Sequence, residues 1–184
     1  MKMIIPVTFL GILMHAFAEE CQLRPPMENF DSSRYFKARH FYVTHSKFEP
    51  RENVCGEFNF VKVEPNKIET LVTENYNIGG KEHNVTYNCI DTTTNENPGR
   101  VSTENDITGR SDTTKFILQT SLIATDYENY VFFHTCFSDG KEEYLVLQAS
   151  KDRIDDGKDV AEGMGLSLDS WFSRKNVNCE NIQK

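Results

Sequence analysis

The longest stretch of patterned hydrophobicity runs from Lys115 to Ser150. Phe116, Leu118, Leu122 and Ala124 recur at even spacing, which puts them on one face of an extended segment. A polar TDYEN turn follows, and then Tyr130–Phe137, which is apolar or aromatic on both faces. Asp139-Gly140 is a hairpin signal, because both central positions of a two-residue type I′ turn need positive φ. Tyr144–Leu147 supplies the next strand. The pattern predicts a three-strand antiparallel meander with Cys136 in its middle strand.

Upstream, the same reading predicts strands at Phe41–Thr44, Glu57–Val63, Ile68–Tyr76 and Glu82–Ile90, with a weaker extended piece over Arg100–Ile107. Between them lie a polar connection with Pro50, a break at Pro65, a Gly79-Gly80 turn, a hydrophilic loop over 91–99, and a turn at Gly109–Asp112. Residues 21–34, with Pro25-Pro26, predict a loop closing one end, and Tyr35-Phe36 the beginning of a helical turn. Strands at short intervals without β-α-β alternation indicate an antiparallel barrel or sandwich. After Ser150 the period changes. Val160, Met164 and Leu168, four apart, predict a short helix over Asp159–Leu168, and Trp171 and Phe172 are the expected anchors of this segment. No repeat or low-complexity tract interrupts the chain, so a single domain is expected.

The first residues change the picture of where the chain works. MKMIIPVTFLGILMHAFA carries one lysine, an apolar run and an Ala16-Phe17-Ala18 cleavage pattern, so residues 1–18 are expected to be a secretory signal and 19–184 the mature, secreted domain. The 28 acids and 20 bases of the whole chain give a net charge of −8. That balance argues against nucleic acid or an anionic membrane as partner, and no second stretch is apolar enough to span a bilayer. All five cysteines lie in the mature part. In a secreted chain they read as disulfides with one left over, and spacing alone leaves the connectivity open. Cys89 is the candidate free thiol. No C-x-x-C spacing occurs and His134 stands alone near Cys136, so no metal site is expected.

Several motifs carry candidate chemistry. The run Asp152–Gly157 resembles a calcium loop, but Ile154 and Gly163 fall where oxygen ligands are required. His40, His45, His83 and His134 lack metal spacing and no nucleophile elbow is present, so no enzyme and no catalytic residue is expected. Asn84-Val85-Thr86 is an N-glycosylation acceptor. Aromatic residues are dense at strand spacing, and in a closed barrel the inward half of them lines the cavity; Phe41, Tyr127 and Phe132 are the candidate cavity-lining residues.

Thr125-Asp126-Tyr127-Glu128-Asn129-Tyr130 matches the TDYxxY signature of lipocalins, between two late strands as in that family. The first-strand Gly-x-Trp hallmark is degenerate, with Ala38 and Phe41 in its place, and Leu147–Lys151 lacks the family arginine. Further stretches carry a narrower resemblance: Glu19-Glu20-Cys21, Pro26–Asp31, Tyr35-Phe36, Phe41–Ser46, Ile123–Tyr127, Ser170–Arg174 and Val177–Asn181. Across nearly the whole chain, and most loosely over 56–120, it resembles the triabin-like salivary lipocalins of blood-feeding triatomine bugs, in particular their pallidipin and triafestin branches.

The resemblance implies an all-β fold, an eight-stranded antiparallel up-and-down lipocalin barrel with a short C-terminal helix. It implies the bridges Cys21–Cys136 and Cys55–Cys179. Relatives with a sixth cysteine carry it at about Asn105 here, which leaves Cys89 unpaired. Haem-carrying cousins use a proximal histidine that would fall near Asn75, so no cofactor is implied. What remains is a secreted protein that impairs host haemostasis, foremost by inhibiting platelet aggregation. It would block a platelet or plasma component through loops at 45–56, 91–99 and 108–114, or hold an eicosanoid, amine or nucleotide agonist in the barrel. The alternative implied is an inhibitor of the contact phase of coagulation and the kallikrein-kinin system. A monomer without nucleic acid or membrane span is expected.

Overall fold

Eight antiparallel strands close on themselves in a computed structural model that describes residues 21–35, 40–48, 54–64, 67–78, 81–93, 96–108, 116–137 and 139–179. Residues 1–18, expected to be a signal segment, and the cores of the 45–56 and 108–114 loops lie outside these residues. The strands are β1 (His40–Ser46), β2 (Glu57–Glu64), β3 (Lys67–Ile78), β4 (Lys81–Thr93), β5 (Arg100–Thr108), β6 (Phe116–Thr125), β7 (Tyr130–Phe137) and β8 (Glu142–Gln148). Each pairs with its neighbour in sequence, and β1 joins β8 on one side and β2 on the other, which makes the lipocalin barrel. A two-residue strand β9 (Phe172–Ser173) adds to β1 at His45 and Ser46. The one-turn helix α1 (Ser32–Tyr35) precedes the barrel and α2 (Lys158–Gly163) follows it. No helix among the described residues is long and apolar enough to cross a membrane.

The doubly apolar character of β7 has a direct cause. Val131 and its partner Leu147 on β8 belong to the packing inside the barrel, together with Phe41, Phe60, Ile68 and Leu122. The next pair, Phe132 and Val146, points the other way and packs under Ala161, Leu166, Leu168 and Trp171 of the C-terminal segment. The strand is sandwiched, so it has no polar face. On β6 the even-numbered face does not run through to Ala124. A bulge between Leu122 and Ala124 keeps Leu122 inside and sends Ile123 and Ala124 to the outer cluster.

The end of the barrel formed by the β2–β3, β4–β5 and β6–β7 connections is sealed by residues 23–35, while Cys21 lies toward the other end, beside Cys136. Met27 N–H donates to the Leu122 carbonyl at 2.9 Å, and Arg100 Nη2 to the Leu23 carbonyl at 3.3 Å. Pro26 lies so close to Gly99 that a Cβ there would sit 2.7 Å from the proline, so only glycine fits. Asp31 caps α1 by accepting from the Ser33 and Arg34 amides at 2.9 and 3.2 Å. The helical turn thus begins at Ser32, ahead of the Tyr35-Phe36 expected to start it, and Phe36 lies outside the described residues.

The TDYENY turn is a structural knot at this end. Asp126 Oδ1 accepts from the backbone N–H groups of Glu128, Asn129 and Tyr130 at 3.0, 2.7 and 3.1 Å. Burial pushes its carboxyl up, but the Asn129 side chain and these amides outweigh that and hold it below the ordinary aspartate value. Tyr127 adopts φ +71°, an uncommon conformation for a bulky residue. Its hydroxyl accepts from Asp31 N–H at 2.9 Å and Arg34 covers its ring at 4.3 Å, so the turn is bolted to α1.

Two connections differ from expectation. Strands β7 and β8 are joined by residues 138–141 rather than by two residues, and among those described only Gly140 takes positive φ, +83°. Helix α2 ends at Gly163 instead of Leu168. Gly165, at φ +72°, turns the chain, with Gly165 N–H donating to Glu162 and Leu166 N–H to Ala161, a Schellman stop; Leu168 begins a separate 3-10 turn over Leu168–Ser170.

Candidate functional site

Alternation along the strands decides what faces inward. Thr70 pairs with Cys89, Val72 with Tyr87 and Ile68 with Asp91 across β3 and β4, and all six side chains line one interior cavity. The cavity has a volume of about 270 Å³. Its floor, against the sealed end, is Tyr35, Phe60, Ile68, Val101 and Leu122. Its walls are largely apolar, with Phe58, Val72, Leu118, Phe133 and Leu145. Phe137, 36% exposed, stands at the rim where β7 turns into β8.

Polar groups inside the cavity are tied to one another. Asp91 accepts hydrogen bonds from the hydroxyls of Thr70, at 3.0 Å, and Thr103. Thr120 and Thr135 share a hydrogen bond of 2.9 Å across β6 and β7. Three carboxyls line the space: Glu74, Asp91 and Glu143. Burial pushes Glu74 and Asp91 above their usual range, opposed by Tyr87 for the first and by Thr103 and Thr70 for the second. Burial likewise raises Glu143 to about 7, against hydrogen bonds from surrounding backbone amides and Ser46. Among the described residues that line it there is no lysine, arginine or histidine. An anion entering this space finds no counter-charge on these walls, while an apolar or cationic group meets nothing repulsive on them.

The three aromatic residues expected to line the cavity do not. Phe41 is 0% exposed and packed among Tyr35 and Phe60 below the open space. Tyr127 serves the turn just described. Phe132, 1% exposed, points out of the barrel because Val131 takes the inward position; its ring meets Tyr130 and lies 3.1 Å from where a Cβ on Gly157 would be. Period-2 patterning cannot say which of two apolar faces is the inner one, and β7 has two. Asp91 was within reach of the sequence. It shares a face with Cys89 two residues earlier, so an inward Cys89 fixes it.

The cysteines fall as follows. Cys21 is joined to Cys136, with Cα atoms 5.7 Å apart, and Cys55 to Cys179, at 5.4 Å. Cys89 is a buried free thiol in the cavity wall, pushed well above its ordinary value by burial and by Asp91 and Glu74. Cys21, His134 and Cys136 do bring three ligand atoms within 4.8 Å, but both sulfurs are spent on each other. Asn84 is exposed on β4, its Nδ2 donating to Asn75 Oδ1 at 2.6 Å. A second depression, of about 600 Å³, lies outside the barrel between Tyr42, Glu57 and the C-terminal segment. Arg174 in it is committed to the Val54 carbonyl at 3.0 Å and to Glu57 at 3.8 Å.

Known proteins agree with this architecture. Pallidipin of Meccus pallidipennis is 43% identical over 188 residues, with all of both chains covered. Platelet inhibitor triplatin-2 of Triatoma infestans is 35% identical over 97% of this chain and all of its own. Among solved structures, the tryptamine complex of the amine binding protein of Rhodnius prolixus superposes with a TM-score of 0.69 at 22% identity, covering 89% of this chain and 93% of that one. A mutant LTBP1 in complex with leukotriene C4 gives 0.53 at 22% identity, covering 77% and 85%. These two likenesses establish the fold. The profile of the Triabin family matches residues 16–161, and the chain belongs to that family.

Proposed function

We propose that this protein is a secreted inhibitor of platelet aggregation that acts as a sink, holding a small apolar agonist inside its barrel. The observation that carries the reading is the cavity itself: closed below by Tyr35 and Phe60, apolar along most of its length, open at Phe137, and without a basic side chain among the described residues of its walls. A cavity of about 270 Å³ lies just under the ~300–1,000 Å³ usual for ligand pockets, which suits a ligand partly held at the mouth. Multiply charged nucleotides are disfavoured, since none of the described residues inside answers a phosphate. Aromatic amines remain, and eicosanoids whose carboxylate stays at the mouth, in keeping with the tryptamine and leukotriene C4 complexes of two fold relatives and with the platelet activity named for a sequence relative. Binding without turnover needs neither cofactor nor metal, and an occupied Asn84 would carry its glycan outside the cavity.

The test is calorimetric titration of refolded 19–184 with a stable thromboxane analogue, leukotriene C4, serotonin and ADP, paired with aggregation assays. One-to-one binding of a lipid or amine, and inhibition only of aggregation driven by that agonist, is the expected result. A folded protein that binds none of them yet blocks aggregation would move the function to the outer loops and end the sink reading.

A further inference from the structure

Glu143 is only 5% exposed, yet it is not buried for packing alone. It lines the cavity near its rim, and one of its oxygens, Oε1, accepts from three backbone N–H groups: Lys47 at 3.1 Å, Phe48 at 3.3 Å and its neighbour Tyr144 at 2.9 Å. Lys47 N–H is shared with the Tyr144 carbonyl at 3.1 Å, whereas Phe48 N–H has the Glu143 carboxyl as its acceptor. Phe48 is the first residue after β1 to depend on it. The carboxyl therefore reaches from β8 to the point where β1 leaves the barrel mouth.

We propose that Glu143 is a positioning residue of the cavity rim, a latch that holds the end of β1 when ionised and releases Phe48 when protonated. A carboxylate oxygen accepts strongly from all three N–H groups, whereas in the neutral acid, protonated on the other oxygen, Oε1 is an uncharged carbonyl and a weaker acceptor for each of them. Because burial raises this group to about 7, the latch changes state around neutrality. The surrounding charges do not provide the switch. From the β1 end, Lys47 directs its ammonium to Glu142 at 4.0 Å and over the Tyr144 ring. On β7, His134 is held by Arg24 N–H at Nδ1 and by Glu142 at Nε2, and burial keeps its pKa lowered. Across the cavity stand Glu74, Asp91 and Cys89, all raised by burial. Glu143 is the member of this set that touches the mouth backbone.

The latch does not require a ligand. Its consequence, faster exchange of the cavity's contents below neutrality, rests on the proposed sink. The test is hydrogen exchange at the Phe48 amide in ligand-free protein from pH 5.5 to 8.5, as protection factors, with the Leu122 amide, bonded to Gly99 at the opposite end, as control. Protection at Phe48 should rise about tenfold with pH, with a midpoint near 7, while Leu122 stays level. Glu143→Gln should be flat and weakly protected; Glu143→Asp should be weaker but still pH-dependent, and serves where the glutamine variant does not fold. Phe48 protection that is level in the wild type, or equally pH-dependent in Glu143→Gln, overturns the latch. Release of the neutral probe N-phenyl-1-naphthylamine, followed by stopped flow, should quicken over the same window. Failure of the probe to bind counts against the sink alone, since Phe48 reads the latch without it.

Discussion

Cys89 on β4 stands directly opposite Asn105 on β5 in the antiparallel ladder. The position where the family resemblance puts a sixth cysteine is thus the cross-strand partner of the free thiol. Asn105→Cys is expected to oxidise with Cys89 and remove the free thiol, stabilising the protein by ~3 kcal/mol for a loop of this length. Thiol titration in denaturant, before and after oxidation, checks it. Two titratable thiols after oxidation would mean that the pair cannot reach bonding geometry.

In the wild-type protein the same thiol is predicted to be inert. It is buried, and its pKa is raised by burial beside two carboxyls. A disulfide reagent should label it only at the rate of unfolding. Labelling as fast as an exposed cysteine would show that the cavity admits solvent and reagent freely.

Phe132 and Leu118 separate stability from binding. Phe132→Ala empties a site in the outer packing under Trp171 and should cost ~3–5 kcal/mol, while the folded fraction keeps its ligand affinity. Leu118→Trp places a large ring in the cavity and should abolish binding at a cost of ~1–3 kcal/mol. Denaturant melts and calorimetry on both variants read the two effects. Lost affinity in a folded Phe132→Ala protein would return that residue to the binding site.

His45 and Glu143 should oppose each other in the acid range. Burial lowers His45 from 6.5 to about 4, so the unfolded chain takes up this proton first and stability falls as pH drops from about 6.5 toward 4. Glu143 is raised from 4.5 to about 7, so its contribution is present below 4.5 and is lost as pH rises toward 7. Each amounts to on the order of 3 kcal/mol. Relative to wild type, His45→Gln should lose the component that rises with pH, and Glu143→Gln the one that falls. Urea melts between pH 4 and 7.5 measure both; parallel curves for all three proteins would contradict the assignment.

The charge of the ligand can be read through Asp91. If the barrel holds an amine, Asp91→Asn should weaken it by tenfold or more, since it removes a carboxyl from a low-dielectric wall. A lipid should bind as well or better. Calorimetry with whichever agonist the first screen identifies distinguishes the two.

Much of this molecule was legible before its structure. All eight barrel strands fall near where alternation and turn residues place them, and β7 runs from Tyr130 to Phe137 as expected, but β4 runs on to Thr93, so that Asp91 lies in a strand and not in the expected 91–99 loop. The TDYENY run marks a turn because Asp126 and Thr125 satisfy its backbone locally, which depends on few distant contacts. The cavity was less legible. Its wall depends on the bulge after Leu122, on the choice between two apolar faces of β7, and on how much of the floor Phe41 and Phe60 fill. Those are decided by packing between strands far apart in sequence. Glu143 in particular looks like one more acid in Lys141-Glu142-Glu143; only the return of β1 to its side reveals its partners.

The ladder between β1 and β2 is short, with three registered pairs from His40 to Tyr42, beyond which β1 turns to β9. The hoop is therefore fastened by a buckle rather than by its own weave. Arg174 grips the Val43 and Val54 carbonyls on the two sides of the gap, and the Cys55–Cys179 bridge pins the tongue in place. The last described stretch of chain is then no trailing end: were a protease to cut just before Arg174, every barrel strand would stay intact and the Cys55–Cys179 bridge alone would tether the buckle to this one join.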